Sequence, residues 1–141
     1  MKARLPWTSR ADRARWRTAR TLDDLGRLTA DWLEGGLAHH LGYPDGPDPE
    51  TAPLVPVLAR LNRLGLVTVS SQPGHAPEAG WDGAVYAQRA AVDGWTTDRA
   101  LLGALIRTAR DHDLHIIVHP PGLPVDRGRV PVTCRWDAVT G

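Results

Sequence analysis

Leu58-Ala59-Arg60-Leu61-Asn62-Arg63-Leu64-Gly65-Leu66-Val67-Thr68-Val69-Ser70-Ser71-Gln72-Pro73-Gly74 is the stretch on which the fold turns. Leu54, Val55, Leu58 and Leu61 recur at helical spacing and form one apolar side. Gly65 stands where a left-handed residue ends many helices. Asp48 can cap this helix, with Pro49 in the favoured first position. Pro53 and Pro56 weigh against an early regular start, because an interior proline loses a backbone bond and clashes with the preceding turn. The spacing therefore predicts a helix from about Pro53 to Leu64. Leu66 to Ser70 is rich in branched residues and reads as a strand. Ser71-Gln72-Pro73-Gly74 then reads as a turn.

Working outward, Thr21 can cap a helix running to about Leu41, with Asp23 and Asp24 where the helix dipole favours acids. Leu22, Leu25, Leu28, Trp32, Leu33 and Leu37 make its apolar stripe, and Gly35-Gly36 weakens its last turns. Residues 42–49 form a Gly- and Pro-rich loop. Asp82-Gly83 marks a turn, and residues 84–93 read as one long strand. Thr97 can cap a helix to about His112. His115 to Val118 reads as a short buried strand, and Val130 to Trp136 as an edge strand, because Pro131 cannot donate to a ladder. The order is helix, helix, strand, strand, helix, strand, strand. That order predicts an α+β fold, a small mixed β-sheet of about four strands packed by about three helices. Residues 1–15 read as a basic, flexible arm and residues 16–141 as one domain.

A chain of 141 residues can bury a real core, and 42% hydrophobic residues exclude disorder of the whole. No apolar run approaches the length of a membrane span, and residues 1–7 lack the apolar stretch of a secretory signal, so a cytoplasmic protein is expected. Cys134, the only cysteine, excludes an internal disulfide and reads as a buried, inert thiol. The first 20 residues hold seven basic groups against Asp12 alone, while the rest of the chain is net acidic. Such asymmetry can mark a nucleic-acid contact, and Arg13, Arg15, Arg17 and Arg20 are the residues to carry it, with Trp16 beside them to stack a base. The same residues equally read as a wet helix face with Trp16 in the core. The second reading is preferred, because a chain with six Trp and no Phe needs Trp inside.

Chemistry is best placed at the turn after the strand, since ligand sites often lie just past strand ends. Ser71 offers a hydroxyl, Gln72 an amide, and Gly74 a close backbone approach. Arg89, on the next strand, has a planar fork suited to carboxylate or phosphate. These groups predict a site for a small anionic or nucleotide-type ligand. The competing reading is that Ser71 and Gln72 only satisfy turn amides. If a reaction is catalysed, Ser71 and His119 are the candidate nucleophile and base, with Asp82 as the acid. No Gly-x-Ser-x-Gly elbow supports that triad. No phosphate loop, dinucleotide fingerprint or calcium loop is present, so no cofactor is expected. The His112-to-His119 run lacks helical zinc spacing, and no metal is expected either.

Several stretches resemble a known family. They are Trp16-Arg17-Thr18-Ala19-Arg20-Thr21-Leu22, Trp32-Leu33-Glu34-Gly35, Ala52-Pro53-Leu54-Val55-Pro56-Val57-Leu58, Leu61-Asn62-Arg63-Leu64-Gly65, Ser71-Gln72-Pro73-Gly74 and Gln88-Arg89-Ala90-Ala91-Val92. Together they resemble an uncharacterised streptomycete-type actinobacterial domain of unknown function. The likeness covers nearly the whole chain from Trp16, and the Ser-Gln-Pro-Gly signature is its most specific part. Trp95 departs from the pattern, which more often carries Phe there. The resemblance implies the same fold and points to Asn62, Thr68, Ser71, Gln72, Gly74 and Arg89 as site residues. It implies no reaction.

Overall fold

The computed structural model describes residues 8–43, 45–119 and 137–139. Thr21 starts the longest N-terminal helix as its sequence requires. Its hydroxyl accepts the Asp24 N–H at 3.1 Å, and the Asp24 carboxylate accepts the Thr21 N–H in return at 3.1 Å. This reciprocal capping satisfies two amides that a bare helix end would leave open. The Arg20 and Thr21 bonds hold the Asp24 carboxyl below the usual carboxylate range.

Helix α1 spans Thr8–Trp16, so much of the stretch read as an arm is helical. Helix α2 spans Leu22–Leu33 and stops short of Leu41, because the chain turns off at Gly35. A 3-10 helix, Pro49–Leu54, absorbs Pro53, and α3, Val55–Arg63, follows it directly. Gly65 adopts φ +106 and turns the chain into β1, Val67–Gln72, as expected from its position. Strands β2, His75–Ala79, β3, Val85–Gln88, and β4, Ala91–Trp95, come next. Helix α4, Arg99–Asp111, and β5, Asp137–Val139, complete the order.

The fold is α+β, as the element pattern implies, and the strand pairings among the described residues are antiparallel. The strands divide into two small sheets, β1-β4 and β2-β3-β5. The run read as one strand over 84–93 breaks at Arg89-Ala90, and its halves join different sheets. Gly74 explains the break. A Cβ there would stand 2.9 Å from the Ala90 nitrogen and 3.0 Å from the Gln88 oxygen, so the turn after β1 passes hard against this backbone.

Two further expectations need correction, and one strand is new. Asp98, not Thr97, caps α4, accepting the Ala100 and Leu101 N–H groups at 2.8 and 3.0 Å. A carboxylate one residue nearer the apolar run reaches both amides. His115 to Val118 forms no strand and is exposed, with Ile117 at 60%. Branched residues favour a strand only where a neighbouring strand can pair with them, and none pairs with this run among the described residues. Strand β2 was not anticipated, because His75-Ala76-Pro77-Glu78-Ala79 lacks branched residues. The expected strand over Val130–Trp136, with Pro131 and Cys134, lies outside the described residues.

The core joins α1, α2 and α3 through Trp16, Leu28, Trp32, Leu33, Leu37 and Leu58. Trp16 is 5% exposed, as the aromatic composition implies. Helix α2 packs on both α3 and β1. Helix α2 comes hard against α3 at Gly26, where a Cβ would lie 2.3 Å from the Asn62 carbonyl oxygen. Asn62 itself is 1% exposed. Its amide nitrogen donates to Leu58 O at 2.9 Å and Thr68 Oγ1 at 2.8 Å, and its Oδ1 accepts the Thr68 N–H at 3.1 Å. A buried amide fully bonded in this way pins the end of α3 to the start of β1.

Two substitutions test this junction in urea unfolding. Asn62→Ala leaves the Thr68 N–H unpaired in the interior and is expected to destabilise by about 2–4 kcal/mol. Gly26→Ala gains about 1 kcal/mol of helix propensity. It is nonetheless expected to destabilise, because overpacking against a backbone carbonyl costs about 1–3 kcal/mol or more.

Candidate functional site

A cavity of about 50 Å3 opens between α2, the loop that follows it and β1. That volume holds about three to five water molecules. Thr29, Trp32 and Leu33 of α2 form one wall, and Thr68 to Ser71 of β1 face it. His40 and Tyr43 come from the loop, and Asp48 and Thr51 from the start of the 3-10 helix.

Buried indoles fasten the loop. Trp16 Nε1–H donates to His39 O at 2.7 Å, and Trp32 Nε1–H donates to Asp45 O at 3.0 Å. The buried Asp12 carboxylate accepts the Ala38 N–H, and Tyr43 OH donates to Val69 O at 3.2 Å. His40 sits among the rings, with centroids 5.1 Å from Trp16 and 4.8 Å from Trp32. Tyr43 stacks on Trp32 at 5.5 Å and 20°. His40 Nδ1 accepts the Gly42 N–H at 3.1 Å, which places the imidazole proton on Nε2. Burial pushes the His40 pKa below the ordinary imidazole value. The side chain is therefore neutral at neutral pH and offers a single donor.

Strand β1 carries a bulge beside the cavity. Thr68 pairs with Gly94 and Ser70 with Asp93, leaving Val69 extra. Bulges re-aim neighbouring side chains and recur next to functional sites. Thr29 and Thr51 are 2% and 8% exposed as residues, and both line the cavity. Asp48 stands at the cap of the 3-10 helix, yet its side chain makes no capping bond.

The residues singled out in the sequence fall into two groups. Thr68 and Ser71 line the cavity. Asn62 lies behind it and is wholly engaged with Leu58 and Thr68. Gln72, Gly74 and Arg89 meet instead at the outer end of β1. There the Gln72 amide donates to the Arg89 backbone carbonyl at 3.2 Å, and the Arg89 side chain is exposed. The guanidinium is not what Gln72 touches, so this meeting holds the turn to the backbone. Ser70 donates to Asp93 across the β1–β4 pair. Asp82 accepts from Tyr86 OH and from the Ala84 N–H, and His119 is exposed.

The arginines also divide. Arg15 pairs with Asp31 at 2.8 Å, and the Arg20 guanidinium bonds the Arg17 and Ala19 carbonyls at the end of α1. Arg13 and Arg17 are exposed and make no ion pair among the described residues. No helix among the described residues is long and apolar enough to cross a membrane. Sequence reasoning missed His40, Tyr43, Asp48 and Thr51, which lie in or beside a stretch legible only as a loop. Thr29 did carry a signal, since it is a polar residue on the apolar stripe of α2, one turn from Leu25 and Leu33.

The depressed His40 pKa fixes a pH dependence. Below the ordinary imidazole value the unfolded chain binds a proton that folded His40 does not yet accept. Stability therefore falls as pH drops from about 6.5 toward the folded pKa. An NMR titration should find His40 titrating below free imidazole. Thermal unfolding should show a loss of stability on acidification that is smaller in His40→Gln.

The chain matches no curated protein. A family profile matches it over residues 11–140, which takes in every element from α1 to β5 except the first residues of α1. On that match the protein belongs to the family described as Domain of unknown function (DUF6919).

Proposed function

We propose that this domain binds a small, uncharged polar molecule in the cavity between α2 and β1. The observation that carries the reading is the gathering of the hydroxyl-bearing side chains Thr29, Thr51 and Ser71 with His40 and Tyr43 around one cavity. A hydroxyl facing a cavity offers both a donor and acceptors to a small polar occupant. The bulge at Val69 and the ring-anchored loop support the same reading.

The chemistry moves away from the anionic ligand that the sequence suggested. None of the described residues lining the cavity is Lys or Arg, while Asp48 is among them. The turn at Gln72 and Gly74 then serves to hold β1 in place, and Ser71 and Thr68 keep a place in the site. The alternative of a nucleic-acid or protein partner on Arg13, Arg15, Arg17 and Arg20 has less support, because Arg15 and Arg20 are engaged within the chain and Trp16 is buried.

Thr29→Val and Thr51→Val test the proposal together. Replacing a hydroxyl that faces the cavity by a methyl group of the same shape should change the stability of the free protein by less than about 1 kcal/mol. Mass spectrometry of small molecules released from the purified protein should show one that the double variant no longer retains. Clear destabilisation by both substitutions, with an unchanged set of released molecules, would mean that these hydroxyls are bonded within the chain.

A further inference from the structure

The cavity lining includes two complementary groups. His40 Nε2–H is a donor with no partner among the described residues, and it asks for an acceptor on the occupant. The Asp48 carboxylate accepts only, makes no capping bond, and asks for a donor. The Thr29 and Thr51 hydroxyls can do either. Burial keeps His40 uncharged, and Asp48 repels an anion. A cation would satisfy Asp48 but offers nothing to His40 Nε2–H. The buried part of the occupant is small, because about 50 Å3 admits only a few heavy atoms. It lies among the rings of Trp32, His40 and Tyr43, which favour a flat group.

Resting on the reading that this cavity binds a ligand, we infer that the occupant presents a planar, uncharged amide to it. The amide is either an open carboxamide or the lactam edge of a heterocycle. Its carbonyl accepts from His40, its N–H donates to Asp48, and the threonine hydroxyls complete the shell.

The test is a titration of the full ¹⁵N-labelled chain, followed by NMR, with five probes: acetamide, uracil, acetate, methylguanidinium and ethylene glycol. Acetamide or uracil should shift the Trp32 indole N–H and the Thr51 and Ser71 amides saturably, with millimolar affinity as befits such small ligands. Response to acetamide alone assigns the carboxamide, and response to uracil alone the lactam edge. His40→Phe, which keeps a ring and removes the donor, should weaken binding roughly threefold to tenfold. Should that variant fail to fold, Asp48→Ala, at an exposed position, should weaken it similarly. If acetate, methylguanidinium or ethylene glycol shifts these signals while neither amide does, the amide class is wrong and the cavity reading stands. If no probe shifts them, both fall.

Discussion

A single buried amide organises this fold. Asn62 closes the last turn of α3, reaches across the Gly65 bend and takes both the N–H and the hydroxyl of Thr68. Of three bonds from one buried side chain, one lies within the helix and two join it to the strand that follows. The carbonyl of the same residue bears on Gly26, so α2 can approach only because that position has no side chain. Helix, helix and strand are thereby fixed by one residue and its glycine partner. Exposed ion pairs along the same helices, such as Arg63 with Glu34, add little to this, because solvent screens them.

The candidate site follows from that junction. With α2 and β1 held apart by the side chains packed between them, the loop after α2 folds over the gap. Trp16, Trp32 and Tyr43 tie it down by donating to backbone carbonyls. Aromatic residues are used here as they often are, with an apolar body in the core and a polar tip bonded. The cavity is the space that these rings and β1 do not fill. Its polar groups come from residues 29 to 71, far apart in the chain, and every element that supplies them is braced by the core.

Much of the architecture was legible because local signals and global packing agree. Thr21 with Asp24, Gly65, the branched run of β1 and the Asp82-Gly83 turn each have one good reading, and the structure uses it. Where several residues could play one part, the reading went astray. Thr96, Thr97 and Asp98 can all cap, and only geometry selects Asp98. The split of residues 84–93 depends on Gly74 pressing on a backbone many residues away, which no local pattern records. The site was legible only in part for the same reason. Ser71 was read from its place past a strand and Thr68 from the family resemblance, and both line the cavity, whereas His40 acquires its character from Trp16 and Trp32, which its own neighbours in sequence do not reveal. At Arg89 the contact with Gln72 is made by the backbone carbonyl, which no reading of side-chain chemistry reveals.

Amide hydrogen exchange at Thr68 tests the central claim most directly. If the Asn62 side chain anchors α3 to β1, the Thr68 N–H should exchange only through global unfolding, at the slowest rate measured in the chain. Exchange at Thr68 as fast as at the exposed residues of β4 would show that this junction opens on its own, and the account built on it would fail.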